Sequence, residues 1–443
     1  MQVQIRIPEQ VNSILETLQK SGYEAYVVGG CVRDALLGRE PHDWDITTSA
    51  LPEQVRDEFP RTIDTGLKHG TITVMYGGTG YEVTTFRVDG VYEDGRHPKE
   101  VTFTRSLRED LKRRDFTINA MAYNAGEGLV DLFGGREDLE NGIIRAVGDP
   151  IQRFSEDALR IMRAFRFSAQ LGYEIEPGTL SACTRLASTL QKISAERIRE
   201  ELEKTLMSDR PQMLRTAYEA GITKEFLPEF DVCMETPQNN PHHCYTVGEH
   251  ILKGISGTRK DKVLRLTMLL HDIGKPGCRT VDEQGIDHFR GHAELGYEMA
   301  LKILRRLKDD NATIRKVTKL VKWHDTQVRM TEPAVRRAIV NVGEDLFPLL
   351  IEVKQADLLA QSTYMREEKQ EKIDRIREMY EGIVERGDCL SLKTLTVNGS
   401  DLVGLGIKPG REVGDILEQM FEEVLDVPSH NDREYLISRF VQA

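Results

Sequence analysis

Cysteine is scarce in this chain and never occurs as Cys-x-x-Cys: Cys31, Cys183, Cys233, Cys244, Cys278 and Cys389 are scattered. That argues against a zinc ribbon and fits reduced thiols in a cytoplasmic setting. Long apolar runs are missing as well. No stretch approaches the length that spans a bilayer, and the start MQVQIRIPEQ lacks the form of a signal peptide. There is no internal repeat, heptad array or low-complexity tract. Positive charge is in deficit, with a net charge of −12. A polyanion would have to be met by a local basic surface and not by the overall field. What is there is an ordinary soluble composition, 39% hydrophobic and 30% charged, over 443 residues. That is long enough for several domains with real cores.

Residues 8–20 have the spacing of an amphipathic helix, with Val11, Ile14, Leu15 and Leu18 on one face. Tyr26-Val27-Val28 reads as a short strand running into Gly29-Gly30. A helix follows from Cys31 to Leu37, ended by Gly38. Trp44-Asp45-Ile46-Thr47 reads as a second strand. Two β-rich runs, 71–75 and 81–86, flank Gly77-Gly78 and predict a hairpin. Residues 87–104 read as a loop, and 107–123 return to helical spacing. Beyond about residue 150 helices dominate, among them 155–171, 194–207 and 211–220. The Pro- and Asn-rich stretch 228–243 marks a boundary. Residues 245–325 are helical, broken by the polar stretch 276–291, and 366–386 predict a charged, solvated helix.

Three motifs carry chemistry. On a strand, Asp43 and Asp45 point to the same face and aim two carboxylates at one spot. Two hard oxygen ligands leave room for water and substrate phosphates, as Mg²⁺ requires at phosphoryl-transfer sites. Gly29 and Gly30 let a backbone turn approach a triphosphate. The order strand, Gly-Gly, helix, Asp-x-Asp strand is that of nucleotidyltransferases. The second motif, Arg113-Arg114-Asp115, leads into what reads as a long half-buried helix through Asn119 and Ala122. Its arginines suit phosphate charge, and Asp115 suits a ribose hydroxyl. The third is Glu156-Asp157-Ala158-Leu159-Arg160, where Asp157 and Arg160 would be i,i+3 neighbours on one helix face. A carboxylate acceptor beside a guanidinium donor matches the base edges of cytosine and adenine and mismatches uracil and guanine. A simple intrahelical ion pair is the competing reading.

GGCVRDALLG…HDWDI, TGLKHGTITV, EDLKRRDFTINAMA, RFSEDALRIMRAFRF and ISAERIREELEK occur in this order. As a set they resemble bacterial class II tRNA nucleotidyltransferases, the CCA-adding branch of the polymerase-β superfamily, over about residues 22–230. The resemblance implies that Asp43 and Asp45 hold the catalytic Mg²⁺ ions. It implies that Gly29, Gly30 and Arg33 form the nucleotide-binding turn, and that Arg114, Asp115 and Asn119 serve the nucleotide's phosphates and sugar. Asp157 and Arg160 would read the incoming base, with Glu156 and Arg163 orienting Arg160 or the phosphates. Residues 87–100 correspond to a flexible loop that the family links to adding the final A.

A second constellation lies downstream: His250, His271-Asp272, His292, His324 and Asp357. This pattern resembles HD hydrolases over roughly 243–360. Imidazole plus carboxylate suits a divalent transition metal, or Mg²⁺ when oxygens suffice, and a metal-activated water could hydrolyse a phosphoester. A helical platform that merely contacts tRNA is the alternative.

The expected architecture is an α/β nucleotidyltransferase head, 1–150, with a mixed sheet flanked by helices. A helical neck at 151–232, an HD domain at 243–360 and a helical tail at 361–443 would follow. The expected activity is template-independent addition of CCA to tRNA from CTP and ATP, with no membrane involved. An A-adding enzyme or a poly(A) polymerase is the nearest rival, and a metal-dependent phosphohydrolase of RNA ends is the rival of another class. Gly66-Leu67-Lys68-His69-Gly70-Thr71, where poly(A) polymerases typically carry an Arg-rich sequence, favours CCA addition. A-only addition stays open.

Overall fold

The computed structural model describes residues 4–89 and 101–441. The chain divides into two compact units, Met1–Pro228 and Glu229–Ala443. The first begins with α1 (Glu9–Lys20), which buries Val11, Ile14, Leu15 and Leu18. Its strands are β1 (Ala25–Val28), β2 (Ile46–Thr48), β3 (Thr62–Gly66), β4 (Thr71–Tyr76), β5 (Thr79–Thr85), β6 (Arg87–Asp89), β7 (Val101–Phe103), β8 (Met121–Asn124) and β9 (Gly128–Asp131). Seven of them form one mixed sheet in the order β3-β4-β5-β2-β1-β8-β9. β2 runs parallel to β5, and the other neighbours are antiparallel. The β4–β5 hairpin turns at Gly77 and Gly78, both at positive φ, as the twist of a two-residue turn demands.

Helices α2 (Gly30–Leu36), α3 (Pro52–Glu58), α4 (Leu107–Lys112) and α5 (Gly135–Asn141) accompany the sheet. Beyond it come α6 (Pro150–Glu156), α7 (Leu159–Leu171), α8 (Pro177–Leu186), α9 (Ala195–Leu206) and α10 (Leu214–Glu219), with α11 (Pro228–Glu235) at the division between the units. α7 is buried nearly all round, including Arg160, Arg166 and Ser168.

The structure departs from the expected elements at several points. Asp43, Trp44 and Asp45 precede the regular strand, which starts at Ile46. The helix expected across 107–123 is instead α4, a 3₁₀ turn at Thr117–Asn119 and the strand β8. β8 is buried on both faces, so Met121-Ala122-Tyr123 carries no polar alternation to betray a strand. Asp157 is not inside a helix: at φ −140° and ψ 105° it separates α6 from α7. Its carbonyl accepts from Arg160 N and its side chain from Leu159 N, so it starts α7 instead of continuing α6. The 228–243 stretch, read as lacking periodicity, opens with α11.

The second unit is helical: α12 (Val247–Ser256), α13 (Lys262–Leu270), α14 (Lys275–Cys278), α15 (His292–Arg306), α16 (Asn311–Trp323), α17 (Glu332–Val342), α18 (Phe347–Ala360), α19 (Arg366–Arg386), α20 (Gly399–Gly404), α21 (Arg411–Asp426) and α22 (Arg433–Phe440). α16–α19 share a core around Val335, Ile339, Phe347 and Ile383. The last helices close another around Leu402, Met420, Val424 and Leu436. No described helix is long and apolar enough to cross a membrane.

Candidate active site and a second ligand cluster

The chain turns sharply at Gly29, between β1 and α2, with φ at +83°. A Cβ there would lie 2.9 Å from Arg114 Nη1. The turn and the Arg-Arg-Asp motif are therefore in direct contact, and only glycine leaves the guanidinium its place. Gly29→Ala is expected to lower stability by about 1–3 kcal/mol through backbone strain alone. The arginine tip can yield, but only by leaving its position. Nucleotide addition should thus fall further than stability does, with KM rising for both CTP and ATP. Urea melts and steady-state kinetics on the same sample test this; unchanged KM values would separate the turn from the nucleotide.

Asp45 stands beside this turn, its carbonyl accepting from Val28 N at 3.0 Å. Asp43 and Asp45 are both exposed. The Asp45 carboxyl is held above its ordinary range, first by the protein packed behind it and then by Asp43, while Arg114 pulls it down. Its outer edge is open to solvent, so the like charge of Asp43 is the contribution to weigh. Two mutually repelling, open carboxylates fit a divalent cation. Arg114 Nε is buried without a hydrogen-bond partner, a donor unspent beside that pair.

Asp115 is buried and both of its oxygens are engaged. Oδ1 accepts from Phe116 N at 2.8 Å and Asn119 Nδ2 at 3.2 Å; Oδ2 accepts from Arg163 Nε at 2.7 Å. Burial opposes its charge, but Arg163 and these donors hold the carboxyl well below the usual range. Arg33 Nη1 donates to Asn119 Oδ1 at 2.7 Å, completing a row Arg33–Asn119–Asp115–Arg163. Phe167 on α7 lies beneath it, 5.1 Å from Arg33 and 5.3 Å from Arg163. Phe116 packs edge-on against Phe167, fixing the motif on α7.

Asp157 and Arg160 are not each other's partners, which removes the intrahelical ion pair. Asp157 Oδ2 accepts from Arg197 at 3.0 Å. Arg160 donates to Glu156 at 2.7 Å and to the carbonyls of Arg153 at 2.8 Å and Arg113 at 3.0 Å. The last bond joins the third motif to the second. The turn at 29–30, Asp45, 113–119 and 156–163 are thus linked in one place. Residues 90–100, most of the expected loop, lie outside the described residues.

Two residues here escaped the sequence reading. Asp110 is fully buried, and faces Arg113 at 2.8 Å, Arg114 at 3.6 Å and Thr47 on β2 at 3.2 Å. It ties the arginines to the strand that follows Asp-x-Asp. Arg197 on α9 holds Asp157. Both are charged residues in helical segments, where burial alone distinguishes them from a solvated face.

The second unit gathers all six downstream residues. His250, His271, Asp272 and Asp357 form one ligand group, and Asp272, His292 and His324 another. Asp272 bridges them. Its Oδ2 lies 3.3 Å from His250 Nε2 and 3.2 Å from His271 Nε2; its Oδ1 lies 3.4 Å and 3.5 Å from His292 and His324. Each histidine turns Nδ1 to a backbone carbonyl, of Ala360, Met268, Phe289 and Val321 respectively. That fixes the tautomer and leaves Nε2 as a lone pair. The Nε2 atoms of His250 and His271, and those of His292 and His324, are 3.2 Å apart. Two nitrogens each ~2.0–2.1 Å from a shared ion stand at about that separation. Asp272 Oδ2 has no hydrogen-bond partner; Lys275 Nζ, 2.7 Å away, balances its charge off the bonding direction. The donors fit two divalent cations sharing one carboxylate. His243, unmarked in the sequence reading, packs edge-on against His250 at 5.1 Å, with Nδ1 buried and without a hydrogen-bond partner.

Three family models match the chain: the poly A polymerase head domain over residues 25–145, the probable RNA and SrmB-binding site of polymerase A over 172–234, and the tRNA nucleotidyltransferase domain 2 (putative) over 283–440. The CCA-adding enzyme of Levilactobacillus brevis is 37% identical over 97% of this chain and 96% of its own length. That of Lactobacillus helveticus is 38% identical over 93% and 91%. The Bacillus stearothermophilus CCA-adding enzyme in complex with CTP superposes with a TM-score of 0.71 at 30% identity, covering 97% of both chains. The Thermotoga maritima enzyme complexed with tRNA shares the fold, with a TM-score of 0.59 at 21% identity. With its motif-bearing head, its helical remainder and full-length relatives of one kind, this chain belongs to the family of CCA-adding tRNA nucleotidyltransferases.

Proposed function

We propose that this protein adds C, C and A to tRNA 3′ ends from CTP and ATP without a nucleic-acid template. The observation that carries this reading is the run of contacts from Gly29 to Arg114 and, through the neighbouring Arg113 carbonyl, to Arg160, which supports one site for a triphosphate and its base. Asp43 and Asp45 would hold Mg²⁺, which when bound neutralises phosphate charge and steadies both the attacking and the leaving oxygen. Arg114 meets the triphosphate with its unspent Nε, and the Gly29-Gly30 turn lets the phosphates approach. Asp115 serves by holding Arg163 and Asn119 in place. Asp157, held by Arg197, and Arg160, held by Glu156, offer one acceptor and one donor to the base. The helical remainder, the tail included, would grip tRNA by shape and phosphate contacts. Supplying tRNAs that lack CCA, CA or A with each nucleotide singly tests this. Three ordered additions are expected; extension of the A-lacking tRNA alone would turn the reading to A-only addition.

A second reading concerns the six-residue cluster. We infer that it binds two divalent cations and hydrolyses phosphoesters, supported by four histidines whose Nδ1 atoms are all turned to carbonyls. When bound, such ions activate water and draw phosphate oxygens. Asp272→Ala removes the bridging carboxylate. It should release the metal and abolish phosphate release from nucleoside phosphates, while CCA addition stays near normal. Metal analysis and both assays on one preparation check this; a wild type without metal would leave a structural platform.

A further inference from the structure

The six-ligand cluster is closed on nearly every side. The side chains of His250 and His271 are 0% exposed, Asp272 2%, His324 4% and His292 8%; that of Asp357 is 23% exposed. A reactant therefore reaches the cluster past Asp357. Gln361 lines this opening. Its Nε2 donates to Asp357 Oδ2 at 3.0 Å, its Oε1 accepts from Lys369 Nζ at 2.7 Å, and its carbonyl accepts from Arg366 Nη2 at 2.7 Å. The Gln361 side chain thus couples Asp357 to Lys369, and its backbone carbonyl holds Arg366.

Those cations are held firmly. Ser362 N donates to the His242 carbonyl at 2.8 Å and Ser362 Oγ to the Pro241 carbonyl at 2.6 Å. The rings of His242 and Tyr364 meet at 5.0 Å, and Lys369 Nζ also reaches His242 Nδ1 at 3.0 Å. Met365, immediately before α19, has φ at +52°, one of two non-glycine residues with positive φ among the described residues. Strain of this kind persists only where the surroundings impose it. Arg366 Nε is buried without a hydrogen-bond partner.

Resting on the metal reading of the cluster, we propose that Arg366 and Lys369 are its substrate-positioning pair, holding the terminal phosphate of a phosphate monoester beside Asp357. A monoester carries close to two negative charges and three strong acceptor oxygens. It suits a guanidinium edge plus an ammonium better than an internal diester, which carries one charge and is covered on both sides. Hydrolysis consumes one water: its oxygen bonds to phosphorus, the ester P–O bond breaks, and the departing alcohol oxygen takes a proton.

The test uses the full chain loaded with Mn²⁺ or Ni²⁺, with metal content measured first. Binding of inorganic phosphate is then titrated calorimetrically for wild type, Arg366→Gln, Lys369→Gln and Lys369→Arg. Both glutamine variants should keep their metal and melting temperature, lose about tenfold or more in phosphate affinity, and raise KM for a nucleoside monophosphate more than they lower kcat. Lys369→Arg should retain most of the binding. Unchanged phosphate affinity in the glutamine variants overturns the proposal, as does a metal-loaded wild type that binds no phosphate. Metal lost from the variants would make the pair structural. A wild type that takes up no metal removes the underlying reading, and the proposal falls with it.

Discussion

Asp45→Ala is expected to reduce nucleotide addition by roughly three orders of magnitude or more while leaving tRNA affinity and folding intact, and Asp43→Ala should behave alike. Loss of a carboxylate that holds the catalytic cations forfeits several kcal/mol of transition-state stabilisation, at about 1.4 kcal/mol per factor of ten. Stability should not follow. The Asp45 carboxyl is raised in the folded protein, by the packed protein behind it and by Asp43. A raised carboxyl favours the protonated form in the fold, so its ionisation as pH rises above the unfolded value lowers stability. Asp45→Ala and Asp45→Asn should therefore melt at or slightly above the wild-type temperature. Single-turnover addition, a gel-shift with tRNA and a thermal melt measure the three quantities. Turnover near wild type would detach Asp45 from catalysis. A large stability loss would make its role structural.

The head was legible wherever one pattern controlled one element. α1 shows its buried face as Val11, Ile14, Leu15 and Leu18, and the β4–β5 hairpin announces itself through Gly77 and Gly78. Both are local signals. The segment after Arg114 was illegible because β8 is buried on both faces and rich in Ala and Met. With no alternation to read, helical propensity points the wrong way, and pairing with β1 and β9 decides. Asp157 misled in the opposite sense. Its spacing from Arg160 is helical, yet its own side chain caps α7, and its ionic partner is Arg197 on a distant helix. Side-chain types were legible, but pairings that span the chain were not. Asp110 shows the same limit: beside Glu109 and Lys112 it looks like surface charge, yet it is fully buried against two arginines. In the second unit the resemblance to HD hydrolases picked out the six residues that the structure gathers. The bridging place of Asp272 and the wall formed by Arg366 and Lys369 were not, since α19 reads as a uniformly charged helix.

Base choice should be the property most sensitive to Arg160. Arg160→Ala is expected to raise incorporation of UTP and GTP relative to CTP and ATP by about 10–100-fold, with a smaller loss of total rate. The guanidinium is held by Glu156 and by the Arg153 and Arg113 carbonyls, leaving Nε and one Nη2 hydrogen uncommitted. It can donate to the ring nitrogen of C or A but cannot accept from U or G. A wrong base leaves buried polar groups unpaired, at roughly 1–3 kcal/mol per group, and the alanine variant no longer imposes that penalty. The fold should tolerate the change. Arg153 also binds Glu156 at 2.7 Å and the Arg113 carbonyl at 3.1 Å, so two of the three acceptors keep a donor. Asp157→Ala should relax choice too, but at a greater cost in stability. It strips Arg197 of the partner at Nη2 when Nη1 is already buried without one. Competition between nucleotide pairs on a CCA-less tRNA, read by sequencing the added bases, gives the selectivity ratio directly. If both variants lose rate and keep the wild-type ratio, Asp157 and Arg160 are structural and the base is read elsewhere.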